Sequence, residues 1–83
     1  MSNIVNKNIY HSDNYYFNVV RKNVKKYRLK SKMTQQQLAD LTGLSMNYIS
    51  KIESKKMQRG FSLVAIGRIA DALKINIKSL FDD

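Results

Sequence analysis

The chain has no cysteine, no proline and no tryptophan, and its 83 residues include one histidine and three glycines. Without cysteine there is no disulfide framework, and no thiolate to hold a metal or attack a substrate. With His11 alone, in a polar N-terminal stretch, neither a histidine metal site nor a Ser/His/Asp triad can be assembled. Acids are scarce as well, six Asp and Glu against fifteen Lys and Arg. None are paired for general acid–base work: Asp82-Asp83 close the sequence and the others are scattered. Gly43, Gly60 and Gly67 stand apart, so no glycine-rich phosphate loop exists. The expectation is a non-enzyme with no catalytic residues, metal, cofactor or small-molecule ligand. No apolar run approaches the ~20 residues that span a bilayer, and Met1-Ser2-Asn3-Ile4-Val5-Asn6 lacks a charged-then-apolar leader pattern. A soluble, unprocessed cytoplasmic protein away from membranes follows as the expectation.

What is present is a small core and a large positive charge. A hydrophobic fraction of 43% is too high for a disordered basic tail. The length fits a single domain. Between Asn18 and Gly60 lie eleven cations (Arg21, Lys22, Lys25, Lys26, Arg28, Lys30, Lys32, Lys51, Lys55, Lys56 and Arg59) opposed only by Asp40 and Glu53. That stretch accounts for the whole net charge of +9, because the remaining four cations and four acids cancel. Solubility needs no such concentration, whereas a polyanion-binding face does.

Residues 1–12 are polar, rich in Asn and without period, and read as a flexible arm preceding a domain at 13–83. Asp13 can cap a first helix in which Phe17, Val20, Val24 and Tyr27 share a face, with Arg28 at its edge, Val19 and Leu29 off it, and Lys22, Lys26 and Lys30 opposite. Thr34 with Gln37 forms a capping box, and Met33 with Leu38 a hydrophobic staple; both start a short second helix with Leu38, Ala39 and Leu41 inward. Thr42-Gly43 ends it. Ser45 caps a third helix with Tyr48, Ile49 and Ile52 on one side and Met46, Asn47, Ser50, Lys51 and Ser54 on the other. After a basic loop, Ser62 caps a fourth helix lined by Leu63, Ile66, Ile69, Ala70 and Leu73. Asn76 then caps a final short turn or helix returning Ile77, Leu80 and Phe81 to the core. The fold class expected is all-α, a compact domain of five helices.

A helix of about eight residues, a glycine turn and a second helix capped just beyond it is helix-turn-helix geometry, here over about 34–54. The first helix braces the second, whose N-terminal side chains can reach base edges in a major groove wide enough for one helix. The order Thr34-Gln35-x-x-Leu38-Ala39, Gly43-Leu44-Ser45, Tyr48-Ile49-Ser50-x-Ile52-Glu53 and Ile69-Ala70-x-Ala72-Leu73-x-Ile75 resembles the phage lambda repressor/Cro-type, or xenobiotic response element, helix-turn-helix family of transcriptional regulators. The resemblance covers roughly residues 20–81. Length, the N-terminal extension and Met46-Asn47-Tyr48 are similar to the family's restriction-modification controller proteins. Three positions depart from the pattern: Phe61 stands for the usual Pro, Ser54-Lys55 for a Gly, and Lys32 for another Gly.

The resemblance implies a lambda repressor-like fold and a double-stranded DNA partner. Ser45, Met46, Asn47, Ser50 and Lys51 match the positions that read bases, where Asn can bond adenine, Met can pack on a thymine methyl and Lys can reach guanine. Gln35, Tyr48, Lys55, Lys56 and Arg59 match phosphate positions, with Tyr48 equally suited to filling the core. Arg28 and Glu53 match a buried structural ion pair; independently, Arg28 lies beside an apolar stripe, Glu53 flanks Ile52, and a buried charge must be paired. The reading face holds no Arg, which favours A·T-rich half-sites.

One domain with a few base contacts binds weakly, so a homodimer on a palindromic operator is expected, with Val64, Ala65, Ile77 and Phe81 as its candidate interface. The expected function is sequence-specific transcriptional regulation, as repressor or controller, likewise at the protein's own promoter. Regulation would act through protein concentration, partners or proteolysis. The alternative is an antitoxin or another module using the domain mainly to bind a protein. RNA binding is disfavoured, since no aromatic cluster lies on a flat exposed face.

Overall fold

The computed structural model describes residues 11–54 and 60–83. Four α-helices, α1 (Asp13–Lys30), α2 (Gln35–Thr42), α3 (Met46–Glu53) and α4 (Leu63–Leu73), are followed by a 3-10 helix, Ile77–Phe81. No strand occurs among the described residues. The last element is thus a 3-10 helix where a fifth α-helix was expected. Its tighter winding sets side chains three apart on the same side. Leu80 is accordingly buried with Ile77 packed beside it, while Phe81, expected in the core, is exposed.

The core gathers Val20 and Val24 of α1, Leu38 and Ala39 of α2, Ile49 and Ile52 of α3, Ile66, Ile69, Ala70 and Leu73 of α4, and Leu80. Two details of α1 differ from the sequence expectation. Ser12, not Asp13, is the N-cap residue, and its side chain makes no capping bond. The buried stripe is also broader and rotated: Val19 and Asn23 are buried, whereas Phe17 is exposed and packs edge-on against Phe61 with ring centroids 5.2 Å apart. The reason is that α1 packs against α3 on one side and the 3-10 helix on another, so its inner face spans more than one heptad-like stripe. Phe17 instead covers Gly60, where a Cβ would collide with its ring.

Asn23 fastens α1 to the C-terminal segment, its amide donating to the carbonyls of Leu80 (3.0 Å) and Asp82 (2.7 Å). Nearby, the Tyr15 hydroxyl donates to the Asp83 carboxylate, and that bond holds the phenol above its ordinary pKa. Helix α1 ends with Met33 N–H donating to the Arg28 carbonyl (3.1 Å) while Lys32 takes a left-handed conformation, φ +57°. Helix α4 ends the same way on Lys74, also at φ +57°, with Ile75 N–H on the Ala70 carbonyl.

In α2 the inner stripe is Leu38, Ala39 and Thr42, at i, i+1 and i+4. Leu41, expected inward, is 61% exposed. In α4 the stripe includes Ala65, four residues before Ile69 and eight before Leu73, which places Ala65 in the core. Leu63 was expected there and is exposed instead.

Candidate nucleic-acid interface

Both helices of the motif start on capped, well-defined turns. Thr34 Oγ1 accepts from Gln37 N–H (3.0 Å) and the Gln37 side chain accepts from Thr34 N–H (2.8 Å), completing the box. Ser45 Oγ accepts from Tyr48 N–H at 3.0 Å. Between the helices, Gly43 adopts φ +74°, a conformation that L side chains rarely take, and donates to the Ala39 carbonyl. Buried Thr42 completes the turn: its hydroxyl donates to the carbonyls of Leu38 and Ala39 (2.9 and 3.0 Å) and accepts from Leu44 N–H (3.2 Å).

Ile49 and Ile52 anchor α3 in the core, which turns its other face to solvent. Ser45, Met46, Asn47 and Lys51 are exposed there, and Ser50 is half-buried. Met46 is 45% exposed, an apolar side chain with no fold-internal need to be outside. Tyr48 is half-buried, packs against the core and accepts from Ser62 N–H at 3.3 Å through its hydroxyl, so it links α3 to the start of α4.

Behind this face lies a dense polar link. Arg28 grips Glu53 with two bonds, Nε to Oε2 at 2.6 Å and Nη2 to Oε1 at 2.9 Å, and donates through Nη1 to the Met33 carbonyl at 2.7 Å. Their side chains are 9% and 3% exposed. The hydrogen bonds that Arg28 donates to Glu53 raise the guanidinium pKa above its ordinary value; burial opposes this and the nearby negative charge adds to it. Gln35, half-buried, donates to Glu53 Oε1 at 3.2 Å.

The phosphate candidates Lys55, Lys56 and Arg59 lie outside the described residues, which resume at Gly60. Among the interface candidates, Val64 and Phe81 are exposed, Ile77 is half-buried, and Ala65 is 3% exposed and inaccessible to a partner. Sequence reasoning missed Asn23 and Thr42. Asn23 lies three residues after Val20, and Thr42 four after Leu38, positions beside the inner stripes where a polar residue must find hydrogen bonds, and that combination could have singled them out. No group of His, Asp or Glu among the described residues could hold a metal ion, and no helix among them is long and apolar enough to cross a membrane.

A helix-turn-helix family model matches residues 24–80, more than half the chain. The chain belongs to the helix-turn-helix family. Within it the assignment is of Cro/C1 type. Solved structures that resemble the domain include the following three. The restriction-modification controller protein C.AhdI from Aeromonas hydrophila is 32% identical with a TM-score of 0.71, covering 78% of this chain and 96% of that one. A hypothetical transcription factor, NHTF, from Neisseria is 26% identical with a TM-score of 0.74, covering 84% and 76%. SinR, described as the master regulator for biofilm formation and solved in complex with DNA, is 24% identical with a TM-score of 0.69 over 76% and 98%, a likeness of fold. No curated sequence matches the chain.

Proposed function

We propose that this helix-turn-helix protein is a transcriptional regulator that binds double-stranded DNA with sequence specificity, as a homodimer on palindromic operators that include its own promoter. The observation carrying this reading is the outward face of α3. Ser45, Met46, Asn47 and Lys51 stand in solvent at the start and flank of a helix whose far end is locked to α1 through Arg28 and Glu53. A small polar face held this rigidly suits base-edge readout, because a contact to a base contributes discrimination only when its geometry is fixed. Asn47 offers the bidentate amide that adenine accepts, Met46 an apolar contact for a thymine methyl, and Lys51 a cation for guanine or phosphate. Gln35 and Tyr48 at the helix starts, with Lys55, Lys56 and Arg59, supply the backbone contacts that fix register.

The 32% identity to a restriction-modification controller over nearly all of that protein favours the controller subgroup within this reading. For the dimer, Val64, Phe81 and Ile77 remain the proposed surface, with Ala65 removed because it is buried. The protein acts in the cytoplasm, without cofactor or metal.

The test is fluorescence anisotropy with DNA from upstream of the protein's own gene against a shuffled duplex, at two salt concentrations. Tighter binding to the native sequence, weakening steeply with salt, is expected. A flat salt response, or equal affinity for both duplexes, rejects the reading. Sedimentation of Val64→Asp and Phe81→Asp should move the protein from dimer to monomer.

A further inference from the structure

Six of the cations between Asn18 and Gly60 lie on α1, whose sole acid is Asp13 at its first position. Like charges one turn apart repel, so a merely solvated helix gains by interleaving both signs. The negative end of the helix dipole accounts for Arg28 and Lys30 in the last turn, and Arg28 is further committed to Glu53. Neither reason covers Lys22, Lys25 and Lys26. Lys22, Lys26 and Lys30 recur at four-residue steps, about 6 Å apart along the axis. No acid relieves them, since the one ion pair among the described residues is Arg28–Glu53.

The row also faces away from the reading helix. Lys26 and Lys30 each lie about 160° around α1 from Arg28, which points to Glu53 at the end of α3. Helix α1 packs on α3, α4 and the 3-10 helix, and no described element covers Lys22, Lys25, Lys26, Leu29 or Lys30, all of them exposed. A duplex seated on the outward face of α3 therefore leaves this side uncovered. Lys26 and Lys30 lie 5.1 and 5.8 Å from the centroid of the Tyr27 ring, which orders both ammonium groups without neutralising them. Leu29, 55% exposed, lies within about 60° of Lys22, Lys25 and Lys26 around the helix, an apolar side chain set among cations.

We propose that the outer face of α1 docks an acidic helical segment of a partner protein, with Lys22, Lys26 and Lys30 facing its carboxylates and Leu29 packing on an apolar side chain between them. Carboxylates at four-residue steps on a helix repeat at the same spacing of about 6 Å, so two such rows match along their length. A nucleic-acid backbone would satisfy the cations but has no apolar group to cover Leu29, whereas a polypeptide supplies both. This surface is independent of the DNA-binding reading, because it uses none of the residues on α3.

The probe is a fluorescein-labelled synthetic helix carrying Glu at four-residue steps and one Leu beside them, and binding is followed by anisotropy at low salt. Wild type is compared with Lys22→Glu/Lys26→Glu, with Leu29→Ser, and with Lys74→Glu/Lys78→Glu as a control of equal charge change at exposed positions elsewhere. Melting curves keep all measurements where the variants are folded. The α1 double variant is expected to bind about tenfold more weakly, and Leu29→Ser several-fold more weakly. The control should change affinity by less than about twofold, as befits distant screened charges. A probe with Ser in place of its Leu should lose the difference between wild type and Leu29→Ser. An excess of unlabelled duplex should leave the peptide bound. No binding by wild type, or equal losses in the α1 and control variants, overturns the docking surface, since bulk charge would then account for everything. Displacement of the peptide by duplex overturns it too, because the face would be one for nucleic acid. A protein that binds the peptide through α1 and no duplex at all would reject the DNA-binding reading and leave the docking surface standing.

Discussion

A guanidinium and a carboxylate taken out of water are each costly, and their attraction compensates only when the remaining donors and acceptors are also satisfied. Arg28 and Glu53 meet that condition, with two mutual bonds and further partners in the Met33 carbonyl and Gln35. Removing one partner strands the other. Arg28→Ala or Glu53→Ala is therefore expected to lower unfolding free energy by about 3–5 kcal/mol in urea titrations. Replacing both at once, as Arg28→Met with Glu53→Leu, should recover most of that loss, because no charge then stays buried. If the double variant is no more stable than the singles, the pair's burial is not what sets the cost. Lys32 and Lys74 raise a different residue-scale question. Both sit at φ +57°, where a Cβ crowds the following carbonyl. Lys32→Gly and Lys74→Gly should each raise stability by about 1 kcal/mol, visible as a higher melting temperature, since glycine enters that region freely.

At the scale of elements, the turn between α2 and α3 determines where the reading face points, and Thr42 is its buried clasp. Thr42→Val keeps the shape and removes the hydroxyl, leaving the Leu44 N–H without its acceptor. The expected cost is about 1 kcal/mol in denaturant titrations, the low end of the penalty for an unsatisfied donor because Leu44 is half-buried. An unchanged midpoint would mean that water reaches Leu44 N–H. How legible these elements were in the sequence follows the same physics. Caps are local, each a side chain bonding a backbone two or three residues away, so Thr34, Ser45, Ser62 and Asn76 were all readable before any tertiary contact was considered. The exact faces were not. Val19, Leu41 and Ala65 were misplaced because helical periodicity gives a stripe's spacing, while its centre and width depend on which neighbours pack against it. Phe81 failed for a related reason, since a 3-10 helix and an α-helix distribute the same five side chains differently. Gln35 was legible as a motif residue through family resemblance. Its bond to Glu53 was not, because it spans 18 residues and depends on how α2 crosses α3.

The charge belongs to the whole molecule, and the structure divides it. Of the eleven cations between Asn18 and Gly60, Arg28 is spent inside the fold, while Lys51 stands exposed on α3 beside Asn47. Lys22, Lys26 and Lys30 follow the outer side of α1, with Lys26 and Lys30 lying over the Tyr27 ring at 5.1 and 5.8 Å from its centroid. Lys74 and Lys78 are exposed at the end of α4 and in the 3-10 helix, in the region where charges cancel. A cation that neutralises a phosphate releases a counterion, and each such contact adds about 0.9 to the slope of log K against log salt. A cation that only raises the overall potential speeds approach without a fixed contact. Lys51→Ala is therefore expected to flatten the slope by up to about 0.9 if it meets a phosphate. If it meets guanine instead, preference for the native upstream duplex over a shuffled one should fall with less change in slope. Lys56→Ala should flatten the slope and weaken binding to all sequences about equally. Lys74→Ala with Lys78→Ala should leave the slope as in wild type, and the Lys22, Lys26 and Lys30 row should alter association rate more than slope. Should the Lys74 and Lys78 pair flatten the slope as much as Lys51 and Lys56 do, DNA would have to reach the 3-10 helix, and α3 would no longer be the element that faces it.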